Sequence, residues 1–304
     1  MSILKELKGI KKPDEKSEIE FGNDPAKNIR AGFDAWFASI NPAIDDKDNY
    51  YLKDELPKAE MFYDEAYKIV NKKMQGLNPE KFWELFKNLT KEQRVFFGIY
   101  LSALMNKSCF DEINIVSENR LRNFIGYKLA RGKIVIDGYH SYDIGTCATG
   151  GYIINNCYTE QVGYDAGGDV LILNNKTSTS MATKASGGIF INNARLNYFA
   201  LDAKDGFFIS FEDIAIFVDP DTLSGHFGDG AEHGIYIATN QAPRYFLHQA
   251  KSSVTKISPH EIANDSLLAV MVQQLYDMVL KDQNKGQQIR NFVSDISKNL
   301  IKTD

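Results

Sequence analysis

The passage SGHFGDGAEHGIYIATN, residues 224–240, holds two histidines and two carboxylates in one short stretch: His226, Asp229, Glu232 and His233. Neutral imidazole together with carboxylate is a competent donor set for a divalent metal, and Gly228 and Gly230 would let a loop turn its ligands inward. The spacing matches no named metal motif and is not the helical His-Glu-x-x-His pattern. A polar, glycine-rich surface loop is the plainer reading of the same residues. A second group is Cys147 with His140 and Asp143, which supplies the types of a nucleophile, a base and an orienting carboxylate. Residues seven apart in a coil of strands sit on different faces, however, and a small thiol also packs well in a tight core. The expectation is therefore no catalytic residue and no cofactor, with a divalent ion at 226–233 as the one metal candidate.

Composition narrows the field in which these groups could work. The chain has 304 residues and a net charge of −5, without the basic footprint that neutralises nucleic-acid phosphates. No run of about 18 apolar residues is long enough to cross a membrane. The opening MSILKELKGIKKPDEKSEIE mixes both charges and lacks the apolar core of a signal peptide. Cys109, Cys147 and Cys157 are odd in number and lack metal spacing, which fits reduced thiols in a cytoplasm.

The middle of the chain repeats itself. IGYKLARGKIVIDG (125–138), IGTCATGGYIINNC (144–157), VGYDAGGDVLILNN (162–175), MATKASGGIFINNA (181–194) and FALDAKDGFFISFE (199–212) align, and their leading residues Ile125, Ile144, Val162, Met181 and Phe199 step by 18 or 19. Phe217 continues the step, and Ala148, Ala166, Ala185 and Ala203 keep it. So short a period predicts a coil of parallel strands, with those five residues stacked along one axis. A hexapeptide coil is excluded, because six and twelve residues after Ile144 stand Gly150 and Asn156.

Each copy has one strong strand. Alternation assigns Ile134/Ile136, Tyr152/Ile154, Leu171/Leu173, Ile189/Ile191 and Phe207/Ile209 to the interior. Val135, Ile153, Ile172, Phe190 and Phe208 then form an outer apolar stripe of roughly several hundred Å2, more than a monomer leaves bare. The chain's own helices, or a partner protein, must cover it. The pairs Asn155/Asn156, Asn174/Asn175 and Asn192/Asn193 suit left-handed corners and amides hydrogen-bonded from rung to rung. Gly234-Ile235-Tyr236-Ile237 reads as one more strong strand, delayed by an insertion of roughly nine residues that holds the four metal candidates.

The flanks are helical. Residues 1–30 read as a charged, poorly ordered lead-in. Within 31–110, Phe62, Ala66, Ile69 and Val70 form an apolar stripe that Gly76 ends, and Asn78-Pro79 opens a short helix. Thr90 with Gln93 makes a capping box ahead of Phe96, Ile99, Tyr100 and Ala103. After the solenoid at 111–247, residues 248–304 form a helical hairpin. It is opened by Ser258 and Glu261 and striped by Leu268, Met271, Val272, Leu275 and Val279, then by Ile289, Phe292, Val293, Ile296 and Leu300. The fold class is α+β: a short parallel β-solenoid of about six rungs between a helical subdomain and a hairpin, with the helices covering its open ends.

An apolar-Gly pair, a short spacer, Gly-Gly and an alternating strand, seen best in IGTCATGGYIINNC and MATKASGGIFINNA, resembles the GXGXG-type parallel β-helix. That domain occurs at the C-terminus of the large chain of glutamate synthase and in one of the component chains of formylmethanofuran dehydrogenase. The resemblance spans about residues 113–240. It departs where asparagine pairs replace the strand-ending glycines and where Ala182 and Ala200 stand for Gly145 and Gly163. In those relatives the β-helix is a structural, inter-domain element without catalytic residues. The resemblance thus implies a non-catalytic scaffold or assembly subunit of a cytoplasmic complex, with a protein partner or a second copy and neither nucleic acid nor membrane. Two other classes stand beside it. One is a metal-dependent enzyme using the 226–233 loop. The other is a polysaccharide-acting β-helix enzyme, which the scattered Asp165 and Asp202 do not favour.

Overall fold

A computed structural model describes residues 21–40, 52–78, 82–86, 88–117, 124–212, 225–240, 245–251, 254–281, 283 and 285–301. Among the described residues, the first long helices are α1 (Pro25–Ile40), α2 (Leu52–Ile69) and α3 (Lys91–Asn106). Helix α1 begins inside the stretch read as a lead-in and buries Ile29, Phe33 and Trp36 completely. Thr90 caps α3 with the expected box to Gln93. Of the helix expected after Asn78, the described residues show a helical Phe82 followed by a 3-10 turn, Trp83–Phe86, and Pro79 lies outside the described residues. Phe33 is the hub of this subdomain, its ring within 6.0 Å of those of Trp36, Phe37, Phe86, Phe97 and Tyr100.

The middle is a parallel β-solenoid of about six turns, as the repeat predicts. The strong wall stacks β1 (Glu112–Ser117), the first half of β2 (Lys133–Ile144) and of β3 (Tyr152–Val162), then β4 (Gly167–Asn174), β6 (Ser186–Asn192), β8 (Asp205–Ser210), β10 (Gly234–Ala238) and β12 (Val254–Ile257). The weak wall stacks the second halves of β2 and β3 on β5 (Ser178–Met181), β7 (Leu196–Phe199), β9 (His226–Phe227) and β11 (Tyr245–Phe246). Ile125, Ile144, Val162, Met181 and Phe199 are register partners in one column and at most 1% exposed. Phe217 lies outside the described residues; the column continues instead through Phe227 and Phe246, whose rings stack on Phe199 and on each other at 4.7 and 5.0 Å.

On β2 the expected facing holds, with Ile134 and Ile136 inward and Val135 outward, but on the later strands of the strong wall it is reversed. Lys133, not Ile134, pairs with Tyr152, and one residue of slip moves every side chain to the other face. Ile134, Ile153, Ile172, Phe190, Phe208 and Tyr236 therefore form one inward column. Tyr152, Ile154, Leu171, Leu173, Ile189, Ile191, Phe207 and Ile209 point outward. The outer stripe is still apolar, and it is covered from within the chain. Helices α5 (Ser266–Lys281) and α6 (Gly286–Ile301) lay Leu268, Val272, Leu275, Val279, Ile289, Val293 and Ile296 on it. Each fully buried aliphatic side chain in that layer contributes about 2 kcal/mol. The hairpin lies along this wall. Its opening helix is also broken: α4 (Pro259–Asn264) stops at Asp265, whose carboxylate accepts from the amides of Leu267 and Leu268 at 3.0 Å and starts α5 afresh.

Two asparagine ladders run along the axis. The inner one is buried: Asn155 Nδ2 donates to Asn174 Oδ1 at 2.7 Å, Asn174 to Asn192 at 2.9 Å, Asn192 to Ser210 Oγ at 2.9 Å, and Ser210 to the Glu212 carbonyl at 2.8 Å. The outer ladder is half-buried and links Asn193, Asn175, Asn156 and Asp137 at 2.7–2.9 Å. Asn155, Asn156, Asn174 and Asn192 lie within strands, so the left-handed corners expected of the pairs fall elsewhere. They fall on the turn after each weak strand, where φ is positive at Gly145 and Cys147, Gly163 and Asp165, Ala182 and Lys184, and Ala200 and Asp202. The third residue of each turn donates its amide to the next rung: Lys128 to Thr146, Cys147 to Tyr164, Asp165 to Thr183, Lys184 to Leu201 and Asp202 to Asp229, at 2.7–3.0 Å. A non-glycine residue there costs about 1–2 kcal/mol, a strain held in place by that repeated bond.

Candidate functional sites

The repeat places the four metal candidates. His226 opens the weak strand β9 in register with Tyr198, and Gly228-Asp229-Gly230-Ala231 is a regular solenoid turn with positive φ at both glycines. These residues are a rung and not an insertion. The extra length lies upstream, between Phe211 and Gly225, largely outside the described residues. Asp229 Oδ2 is 2.9 Å from His226 Nδ1. Glu232 turns away to Lys251 Nζ at 2.5 Å, which holds its carboxyl below the ordinary range, and His233 is exposed. The second imidazole at Asp229 is instead His248, from the next turn, with Nδ1 at 3.4 Å from Oδ1. His248 occupies the same turn position as Asp229 one rung later, a signal present in Leu247-His248-Gln249-Ala250 once Phe246 is placed in the column.

This row is a carboxylate between two rings, with Tyr198 packed on His226 at 5.5 Å between centroids. The carboxylate is hydrogen-bonded to His226 within its own rung, whereas its other oxygen, the one nearer His248, is buried without a hydrogen-bond partner. Among the described residues, no group of three or more histidine, cysteine or acidic side chains is arranged to hold a metal ion. Of the four proposed ligands, the structure brings together His226 and Asp229 only.

The cysteine group does not assemble either. Cys147 is the third residue of its turn, and its nearest ionisable group is Asp165, Sγ to Oδ2 4.0 Å. Burial, then the Asp165 charge, pushes the thiol up to about 11, the opposite of the thiolate that nucleophilic catalysis needs. Asp143 is 4% exposed on the weak wall, its carboxyl raised by burial and then by Glu160. His140 pairs through its backbone with Tyr158, and its side chain lies outside the described residues. Cys109 and Cys157 are buried and pushed up to about 12 and about 11.

Sequence reasoning did not find a cleft of about 820 Å3 between α2 and the turn edge of the first rungs. Pro57, Glu60, Tyr63 and Tyr67 form one side; Tyr127, Lys128, Cys147 and Asp165 form the other. Asn106 rivets the two, donating to Tyr63 Oη at 2.6 Å and the Lys128 carbonyl at 2.8 Å while accepting from the Ala130 amide at 2.8 Å. Lys128 pairs with Glu60 at 2.6 Å, and Lys107 stands 3.9 Å over the Tyr67 ring. Tyr67 is 38% exposed, so the cleft offers an aromatic face with charges of both signs at its mouth. The helix and the strands that form it are far apart in sequence, and only the docking of α2 on the solenoid brings them together.

No protein-family model, no curated protein and no solved structure matches this chain.

Proposed function

We propose that this chain is a non-catalytic scaffold or assembly subunit of a cytoplasmic complex. The observation that carries the reading is where its polar side chains are engaged. The asparagine ladders and the turn amides bond along the solenoid axis from rung to rung, which builds a stiff rod. The likeness of the repeat to the GXGXG-type β-helix, a structural and inter-domain element in its relatives, supports the same reading. The tyrosine-lined cleft beside α2 is the surface we assign to the protein partner. Exposed tyrosine is among the residue types enriched at recognition surfaces, and the charges at the mouth of the cleft suit the polar rim of such a surface.

The test is purification of the full chain from its native host at endogenous level, with mass spectrometry and light scattering. The expected result is one stoichiometric partner, lost in Tyr67→Asp and in Lys128→Glu while their melting temperatures stay near wild type. A monodisperse monomer without a partner overturns the scaffold reading. A partner kept by both variants overturns the cleft assignment.

A further inference from the structure

The two ends of the solenoid are finished differently. At the first rung, Ile113 and Ile115 are fully buried in the same core as α3 and Phe110. At the last rung, β11 and β12 are the terminal strands of the sheet, each paired on one side only among the described residues. Leu247, Ala250 and Val254 are only partly buried there. Such an edge presents unpaired backbone groups and a bare core, and it templates the addition of another strand.

Lys256 stands at the decisive place. Its register partner is Tyr236, which pairs with Phe208, which pairs with Phe190. Those three rings stack at 5.3 and 4.8 Å along the inward column. On the last rung that column ends in a lysine, exposed, whose ammonium lies 4.7 Å over the ring of Phe246, the last member of the other inward column. One cation therefore closes the ends of both aromatic stacks. An inward-facing charge on a terminal strand must be stripped of water before another rung can dock, and a docked rung offers it no counter-charge.

We propose that Lys256 is a stop residue that blocks strand addition at the C-terminal end of the solenoid. The first rung buries Ile113 and Ile115 while the last leaves its column end exposed, so two copies of this chain would meet through their last rungs, β12 against β12. The species held back by Lys256 is therefore a closed two-fold dimer.

The experiment is light scattering on the full chain over a range of concentrations, with circular dichroism and a thermal melt for each variant. Lys256→Tyr continues the aromatic column and is expected to double the mass relative to wild type as concentration rises. Lys256→Arg keeps the cation and should keep the wild-type mass. The proposal is overturned if Lys256→Tyr keeps the wild-type mass throughout, or if Lys256→Arg associates as strongly. Should Lys256→Tyr lose its fold, Lys256→Met, which keeps the length of the stem without the charge, decides by the same two outcomes.

Discussion

Replacing Asn174 by Asp tests whether the inner ladder is a structural necessity. The two side chains are isosteric, so no cavity confuses the result. Asn174 is fully buried; its Oδ1 accepts from Asn155 Nδ2 at 2.7 Å and from Ser178 Oγ at 3.2 Å, and its Nδ2 donates to Asn192 Oδ1 at 2.9 Å. An aspartate keeps both acceptances and sets a second oxygen against the Asn192 oxygen. Asn192 does not escape by flipping its amide, since its Nδ2 is committed to the Ala194 carbonyl at 2.5 Å and Ser210 Oγ at 2.9 Å. The new group relieves the conflict by remaining protonated, because a neutral acid donates where the amide did.

The magnitude follows from that proton. A carboxyl buried without a cation is raised by about 3 units over its unfolded value of about 3.9. At about 1.4 kcal/mol per unit, Asn174→Asp should lose about 4 kcal/mol at neutral pH. The sign is that of a raised acid. The deficit is small below the unfolded value, grows as pH rises toward the folded value, and is constant above it. Thermal melts and urea midpoints of wild type and variant between about pH 4 and pH 8 measure the difference. Asn175→Asp on the half-buried outer ladder is the control, expected to cost about 1 kcal/mol with little dependence on pH. A deficit in Asn174→Asp that is independent of pH, or no larger than the control's, refutes the ladder argument.

Two glycines should respond differently to the same change. Gly168→Ala puts a Cβ 2.5 Å from the Thr149 carbonyl at φ +59, a clash with backbone that should cost about 3 kcal/mol and lower the melting temperature by several degrees. Gly163→Ala at φ +67 meets only the side chains of Ile172 and Phe190, at a column position where Ala182 and Ala200 already stand, and should cost about 1 kcal/mol. Asp143→Asn removes a carboxyl that burial, and then Glu160, hold above the ordinary range. Such a group favours the fold most below that range and disfavours it as pH rises through its folded value. The variant should therefore melt higher than wild type at alkaline pH and equal to it at acid pH, as paired melts would show.

The period was legible because apolar residues and glycines recur at fixed steps, and the column from Ile125 to Phe199 is the one the sequence indicates. The facing of the strong wall was not, because a strand that is apolar on both sides carries no parity signal. The parity was written in the asparagine pairs. The first member of each, Asn155, Asn174 and Asn192, is inward and fully buried; the second, Asn156, Asn175 and Asn193, is outward. A hydroxyl four residues on, Thr159 after Asn155 and Ser178 after Asn174, bonds only the inner member and marks it. The insertion falls before the weak strand β9 and not after it, a difference of half a rung, for a related reason. Gly228-Asp229-Gly230-Ala231 has the composition of a loop, yet it repeats the pattern of Gly145-Thr146-Cys147-Ala148 and belongs to the coil.

The same bookkeeping of faces constrains where recognition can occur. The strong wall is apolar outside and covered by α5 and α6, which Arg290 fastens to the glycine corner through the carbonyls of Asp169 and Gly151. Tyr152 adds a bond from its hydroxyl to the Gln283 carbonyl at 2.6 Å. Ile113 and Ile115 are buried at the first end, and each amide of the inner ladder is bonded to the next. Besides the last rung, the described surface leaves the turn edge. Its third turn residues, Lys128, Cys147, Asp165, Lys184 and Asp202, vary freely in type from rung to rung while their backbone is held constant by the amide ladder. A repeat that fixes the main chain and releases one side chain per turn is suited to carrying a partner-specific surface. The cleft against α2 lies where that edge meets the helices, and there the scaffold reading is tested most directly.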